Sequence, residues 1–180
     1  MNAITAETTT LDARVRSLVA LFERIAATRM QGVPMLHEAL RVVAVGFEAD
    51  PAGDGAVGVL VTPWFMNLVW LPLRESTEPL AARASRMRAV GNERFEFLGA
   101  HEEGFGSFEA CSLFSPMFQF EDQAAALATA EEVLRQLRRA PEAPAAEPVP
   151  ARRAWLLARG TRGTNGGTNG GTNGGAEASR

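Results

Sequence analysis

His101-Glu102-Glu103-Gly104-Phe105-Gly106 sets one imidazole beside two carboxylates, the side chains a general acid and base would use. Adjacent side chains converge only if a fold aims them, so the same run also reads as a solvated turn between strands. Cys111 is the one cysteine and stands among phenylalanines and a leucine. Such a thiol is ordinarily buried and protonated; a redox role would use the same atom. His37 and His101 are the two histidines, and with Cys111 they spread over 75 positions, too few and too scattered to close a tetrahedral zinc site. All 18 basic side chains are arginines and tyrosine is absent, which removes Schiff-base lysines, P-loop lysines and tyrosine acids. No serine lies in a nucleophile-elbow context, and Gly104-Phe105-Gly106-Ser107 is too short for a dinucleotide fingerprint. The chain therefore carries no motif for a cofactor or a metal.

Those residues need elements to position them, and the elements are read from periodicity. Leu11, Val15, Leu18, Phe22 and Ile25 share one stripe of an N-terminal helix. Thr9 and Asp12 resemble its capping box, and Gly32 past Met30 fits a left-handed end. A C-terminal helix runs from about 121 to 139 on Ala124, Leu127, Ala130, Leu134 and Leu137, with Pro141 as its stop. Between them, Leu40 to Phe47 and Val57 to Thr62 flank Asp50-Pro51-Ala52-Gly53-Asp54-Gly55 and should pair as a hairpin. Further strands are expected at Asn67 to Leu71, Met87 to Val90, Arg94 to Gly99 and Ser107 to Phe114, with Gly91-Asn92 as a short turn. In Arg94 to Gly99, Phe95 and Phe97 should face one way and Arg94, Glu96 and Leu98 the other. Residues 81 to 87 fit a short helix as an alternative. Short turns without helical crossovers imply an α+β fold: a mostly antiparallel sheet of five or six strands, flanked by an N-terminal and a C-terminal helix covering one face.

Composition bounds the rest. Of the 180 residues 46% are apolar and 22% charged, values of a packed domain. The formal charge of −3, without a basic stripe, argues against nucleic acid. No apolar run reaches the ~18 residues of a membrane span, and the first residues lack a signal-peptide pattern, so a cytoplasmic protein without direct membrane insertion is expected. From Pro141 the chain turns to four prolines in ten residues and then to three Thr-Asn-Gly-Gly repeats. Residues 1–140 are expected to fold as one domain and 141–180 to be a disordered tail. Thirteen arginines against 18 acids give the first part −5; five against three give the tail +2.

Two dense apolar segments stand out. Thr62-Pro63-Trp64-Phe65-Met66-Asn67 places three large apolar side chains in succession, which simple alternation cannot bury together. Ser112-Leu113-Phe114-Ser115-Pro116-Met117-Phe118-Gln119-Phe120 repeats that character. Either they plug the ends of the core, or they form a surface on which adaptable Met and aromatic side chains, rimmed by acids such as Glu102 and Glu103, hold an apolar segment flanked by arginines.

At these segments the sequence closely resembles the HybE family (also HupJ or HoxT), assembly chaperones of nickel-iron hydrogenases. The resemblance is carried by Met30–Leu36, LRVVAVGF at 40–47, Gly58–Leu68 with TPWFMN, Phe95–Gly99 and Cys111–Met117 with CSLFSPM, in family order over about residues 11 to 138. It implies a non-enzymatic role in maturing an uptake hydrogenase. The implied partner is the small-subunit precursor, which carries iron-sulfur clusters and a twin-arginine export signal, held until assembly is complete; other hydrogenase subunits or a rubredoxin-like accessory protein are further implied partners. Some relatives are fused to a rubredoxin domain, whose four cysteines this chain lacks. Combining those motifs with the surface argument assigns partner binding to Trp64, Phe65, Met66, Asn67, Phe114, Ser115, Pro116, Met117, Glu102 and Glu103. A redox-protective accessory protein using Cys111, or a small enzyme using His101 and Glu102, are the alternatives.

Overall fold

The computed structural model describes residues 2–50, 54–74 and 79–139, so the expected tail at 141–180 lies outside the described residues. The chain runs α1 (Asn2–Ala27), β1 (Val43–Ala49), β2 (Gly55–Val61), β3 (Met66–Pro72), β4 (Ser85–Val90), β5 (Glu93–Glu102), β6 (Gly106–Phe114) and α2 (Gln123–Arg138). The six strands form one antiparallel sheet in the order β1-β2-β3-β6-β5-β4. It is two three-stranded meanders joined where β3 pairs with β6. Consecutive in the chain, β3 and β4 are separated in the sheet by β6 and β5, and β1 and β4 are its edges.

Both helices form where the apolar stripes place them, with three differences. Helix α1 begins at Asn2, so Thr9 and Asp12 lie inside it and do not cap it. Residues 2 to 8 include no Gly or Pro to stop the helix from extending backward. In α2 the buried set is Ala126, Ala130, Leu134 and Leu137, while Ala124 is exposed. Asp122 fixes that phase as N-cap by accepting from the Ala125 amide at 2.8 Å. Residues 81–84 form a turn leading into β4, not a helix; Arg83 is left-handed there (φ 68°) and its amide bonds Gly99 O.

The helices cover opposite faces of the sheet, not one. Leu18, Leu21, Phe22 and Ile25 of α1 pack with Leu60, Val69, Leu71 and Phe108. Ala126, Ala130, Leu134 and Leu137 of α2 pack with Val59, Val61, Leu68, Trp70 and Phe97. Successive residues of β2 and β3 thus serve different cores, which is why both strands are apolar at nearly every position. On β5 the expected alternation holds: Phe97 is buried and Leu98 is 53% exposed.

Edge strand β1 is bent by one extra residue between its pairings Val45↔Val59 and Glu48↔Val57. Gly46 is left-handed there (φ 56°), and a Cβ on it would sit 2.7 Å from Leu134 Cδ1. The bulge lets Arg138 from α2 donate to Gly46 O and, at 3.4 Å, to Val57 O, while pairing with Glu48 at 2.9 Å.

Candidate functional site

Thr62 organises the first apolar segment. Its hydroxyl accepts from the amides of Trp64 (3.3 Å) and Phe65 (3.0 Å) and donates to Phe65 O, while its own amide donates to that oxygen at 2.8 Å. This turn divides the three large side chains. Trp64 and Phe65 fold onto the α1 face against Phe22, with ring centroids 6.3 and 5.5 Å away, and Met66 enters the α2 core with no exposure. Asn67 is half-buried, its Oδ1 enclosed without a hydrogen-bond partner.

The second segment packs beside the first. Ser115 Oγ donates to Trp64 O at 3.3 Å, and the Ser115-Pro116 peptide is cis. A second irregularity, where Met66 pairs with Phe114 but Asn67 with Ser112, leaves Leu113 extra on β6. Phe114 stacks edge-on to Phe120 at 5.2 Å, and Met117 is fully buried. Trp64, Met66 and Met117 are therefore core side chains, 9%, 0% and 0% exposed, and offer a partner little or no surface in this fold. What faces outward is Ser115, Pro116, part of Phe65 and Phe114, and above all Phe118, 58% exposed.

His37 joins the two segments, which its sequence context did not suggest. Its amide donates to Pro63 O at 2.8 Å, its Nε2 donates to Phe120 O at 2.8 Å, and its ring lies 6.4 Å from Phe118. The Nε2 proton follows from the carbonyl it meets, and Nδ1 is buried without a partner.

The acids lie elsewhere. Glu102 pairs with Gly106, eight residues along β6 from Phe114, roughly 26 Å away at the rise of an extended strand. Glu102 is bound by Arg29 at 2.8 Å, and Glu103 is exposed. The structure thus does not bring Glu102 and Glu103 to the rim of the apolar segments. His101 bonds Ser107 Oγ at 3.1 Å and, as Glu102's neighbour on a strand, projects from the opposite face, so the two do not converge as an acid and base.

Near that end sequence reasoning missed a buried ion cluster. Glu109 is 3% exposed and is held by a two-point contact from Arg88, with Arg86 at 3.5 Å. The Arg88 guanidinium also covers the Trp70 ring at 3.6 Å. The signal was the two-residue spacing of Arg86 and Arg88, which puts both on one face of β4 opposite Phe97 and Phe95. A cleft of about 480 Å³ opens here, lined by Arg14, Arg74, Arg86, His101 and Glu109 among others. Arg14 lies 3.8 Å over the Phe105 ring and donates to Phe105 O at 2.7 Å; burial pushes its pKa down.

Cys111 is half-buried on β6 beside the α2 core. Burial first, and Glu96 second, push its thiol pKa up, so the reactive thiolate is disfavoured. Among the described residues no three His, Cys, Asp or Glu side chains gather to hold a metal, and no helix is long and apolar enough to cross a membrane.

Residues 13–158 match the family described as NiFe-hydrogenase assembly, chaperone, HybE. This chain belongs to that family. It is 50% identical over 141 residues to protein HoxT of Cupriavidus necator, covering 73% of this chain and 79% of that one. Over 120 residues it is 40% identical to the hydrogenase expression/formation protein HupT of Azotobacter chroococcum, 67% of this chain and 79% of the other. The solution structure of HybE from Escherichia coli shares the fold, with a TM-score of 0.56 and 21% identity over 88% of this chain and 91% of that one. The two segments on which the resemblance was read are thus the ones that Thr62, Ser115 and His37 lock together at one end of the sheet.

Proposed function

We propose that this HybE-family protein is a cytoplasmic, non-enzymatic chaperone that holds the small-subunit precursor of a nickel-iron hydrogenase until assembly is complete. The observation that carries the reading is the exposed apolar group at the end of the sheet where TPWFMN and CSLFSPM meet. Phe118 is 58% exposed, Pro116 and Ser115 are exposed beside it in sequence, and Met35, two residues before His37, is 37% exposed. Large apolar side chains held in solvent by a rigid frame suit contact with an apolar client segment. Trp64, Met66, Asn67 and Met117 shape that surface from beneath, and Phe65 and Phe114 form its margin. Glu103, at the far end, would meet a client only if the client spans the sheet.

The test is capture of the small-subunit precursor by the tagged full chain from cells making the hydrogenase, with the precursor's leader present and absent. Phe118→Asp, which leaves the core untouched, is expected to keep the thermal midpoint and reduce capture at least tenfold. Equal capture by the folded variant would remove this surface from the reading. A leader-independent loss would place the contact on the precursor's folded part.

A further inference from the structure

The sheet's second edge has backbone left to offer. Gly91-Asn92 closes β4 on β5 with Val90 opposite Glu93, and the Gly99 amide donates to Ala84 O at 2.8 Å. In an antiparallel ladder, hydrogen-bonded positions alternate with outward ones. Residues 84, 86, 88 and 90 therefore turn their backbone groups toward β5, and Ser85, Met87 and Ala89 turn theirs away. Among the described residues no strand pairs with that side of β4, and no turn or loop hydrogen bond reaches those three residues. The apolar side chains beside this edge are open too: Met87 is 50% and Leu98 53% exposed, and both lie on the α1 face, Met87 opposite Glu96 and Leu98 opposite Ser85.

We propose that β4 accepts an extended partner segment as a seventh strand, one that alternates apolar with acidic side chains. Charge selects that occupant. A new strand's side chains on the α2 face would lie beside Arg86 and Arg88, which share Glu109; the other acid of that face, Glu93 opposite Val90, makes no ion pair with either, and Arg86, 3.5 Å from Glu109 and 44% exposed, has charge to offer a partner. On the α1 face Arg94, opposite Ala89, offsets Glu96, opposite Met87, and the exposed Met87 and Leu98 favour apolar residues. The same charges disfavour a second copy of this chain. An antiparallel twofold pairing centred on Met87 would set Arg86 against Arg88 of the other copy twice, and like charges directly opposite are destabilising. This edge is separate from the Phe118 surface, and the inference does not depend on the client proposed above.

The probe is a fluorescently labelled seven-residue peptide alternating valine and glutamate, titrated into the full chain and followed by anisotropy. Saturable binding is expected, at least tenfold tighter than for the same peptide with arginine in place of glutamate. Methylating the peptide's alternate amide nitrogens on the pairing side should abolish it. Met87→Pro removes an outward N–H together with the exposed Met87 side chain but no bond to β5, a change edge strands tolerate, and should weaken binding at least tenfold with the fold retained. If Met87→Pro does not fold, the methylated peptide alone decides. Absence of binding at millimolar peptide, equal binding of the arginine peptide, or indifference to methylation overturns the proposal. So does a concentration-dependent dimer in sedimentation that Met87→Pro dissolves, because the edge would then belong to a second copy.

Discussion

The two edges of the sheet are built on opposite plans. At β1 a bulge at Gly46 breaks the regular ladder, the Arg138 guanidinium takes up Gly46 O, and Glu48 anchors that guanidinium. At β4 the strand is regular, its outward backbone groups meet no described partner, and its arginines reach inward to Glu109. Unprotected edges are aggregation templates, and bulges and covering side chains are the usual remedies. One sheet that interrupts one edge with a bulge and leaves the other regular, with charges beside it, shows that a regular edge is not a requirement of the fold.

The largest effect is expected where β4 is tied down. Glu109→Ala leaves Arg86 and Arg88 without their carboxylate in a site from which Glu109 is almost wholly excluded from water, and should cost about 3 kcal/mol in chemical denaturation. If β4 is held chiefly by β5, the loss is far smaller and the ion cluster does not define this edge. Next comes the bulge of β1. Gly46→Ala forces a left-handed residue to carry a Cβ into Leu134, and about 2 kcal/mol of stability should go, seen as a lowered denaturation midpoint.

How far this architecture is legible from sequence depends on how local the cause is. The hairpins follow from turn chemistry such as Gly91-Asn92, and the helices from apolar stripes, because both are decided within a few residues. The placement of the helices on opposite faces is written in the unbroken apolar runs Val57–Val61 and Leu68–Leu71, which one covered face would not require. The burial of Trp64, Met66 and Met117 is less accessible, since it depends on a turn held by Thr62 and on contacts between segments some fifty residues apart, such as Ser115 to Trp64. Glu109 reads as one acid in an apolar strand until Arg86 and Arg88 arrive from across β5. His37 was hidden for the same reason: its partners are Pro63 and Phe120.

The smaller predictions separate an edge held at its bulge from one held by its ladder. Arg138→Ala removes the donor to Gly46 O and Val57 O and the ion pair with Glu48, and should cost about 1 kcal/mol, because hydrogen bonds to charged donors exceed neutral ones but this guanidinium is partly solvated. Amide exchange should then accelerate along β1 more than along β4. Met87→Ala, by contrast, should shift stability by less than ~0.5 kcal/mol, since half of that side chain is already in water and its backbone bonds point away from the sheet. A large loss on Met87→Ala would mean that the exposed face of β4 is stabilising the fold after all. The contrast between a bulged β1 and a regular, available β4 would then fail at the residue on which it most depends.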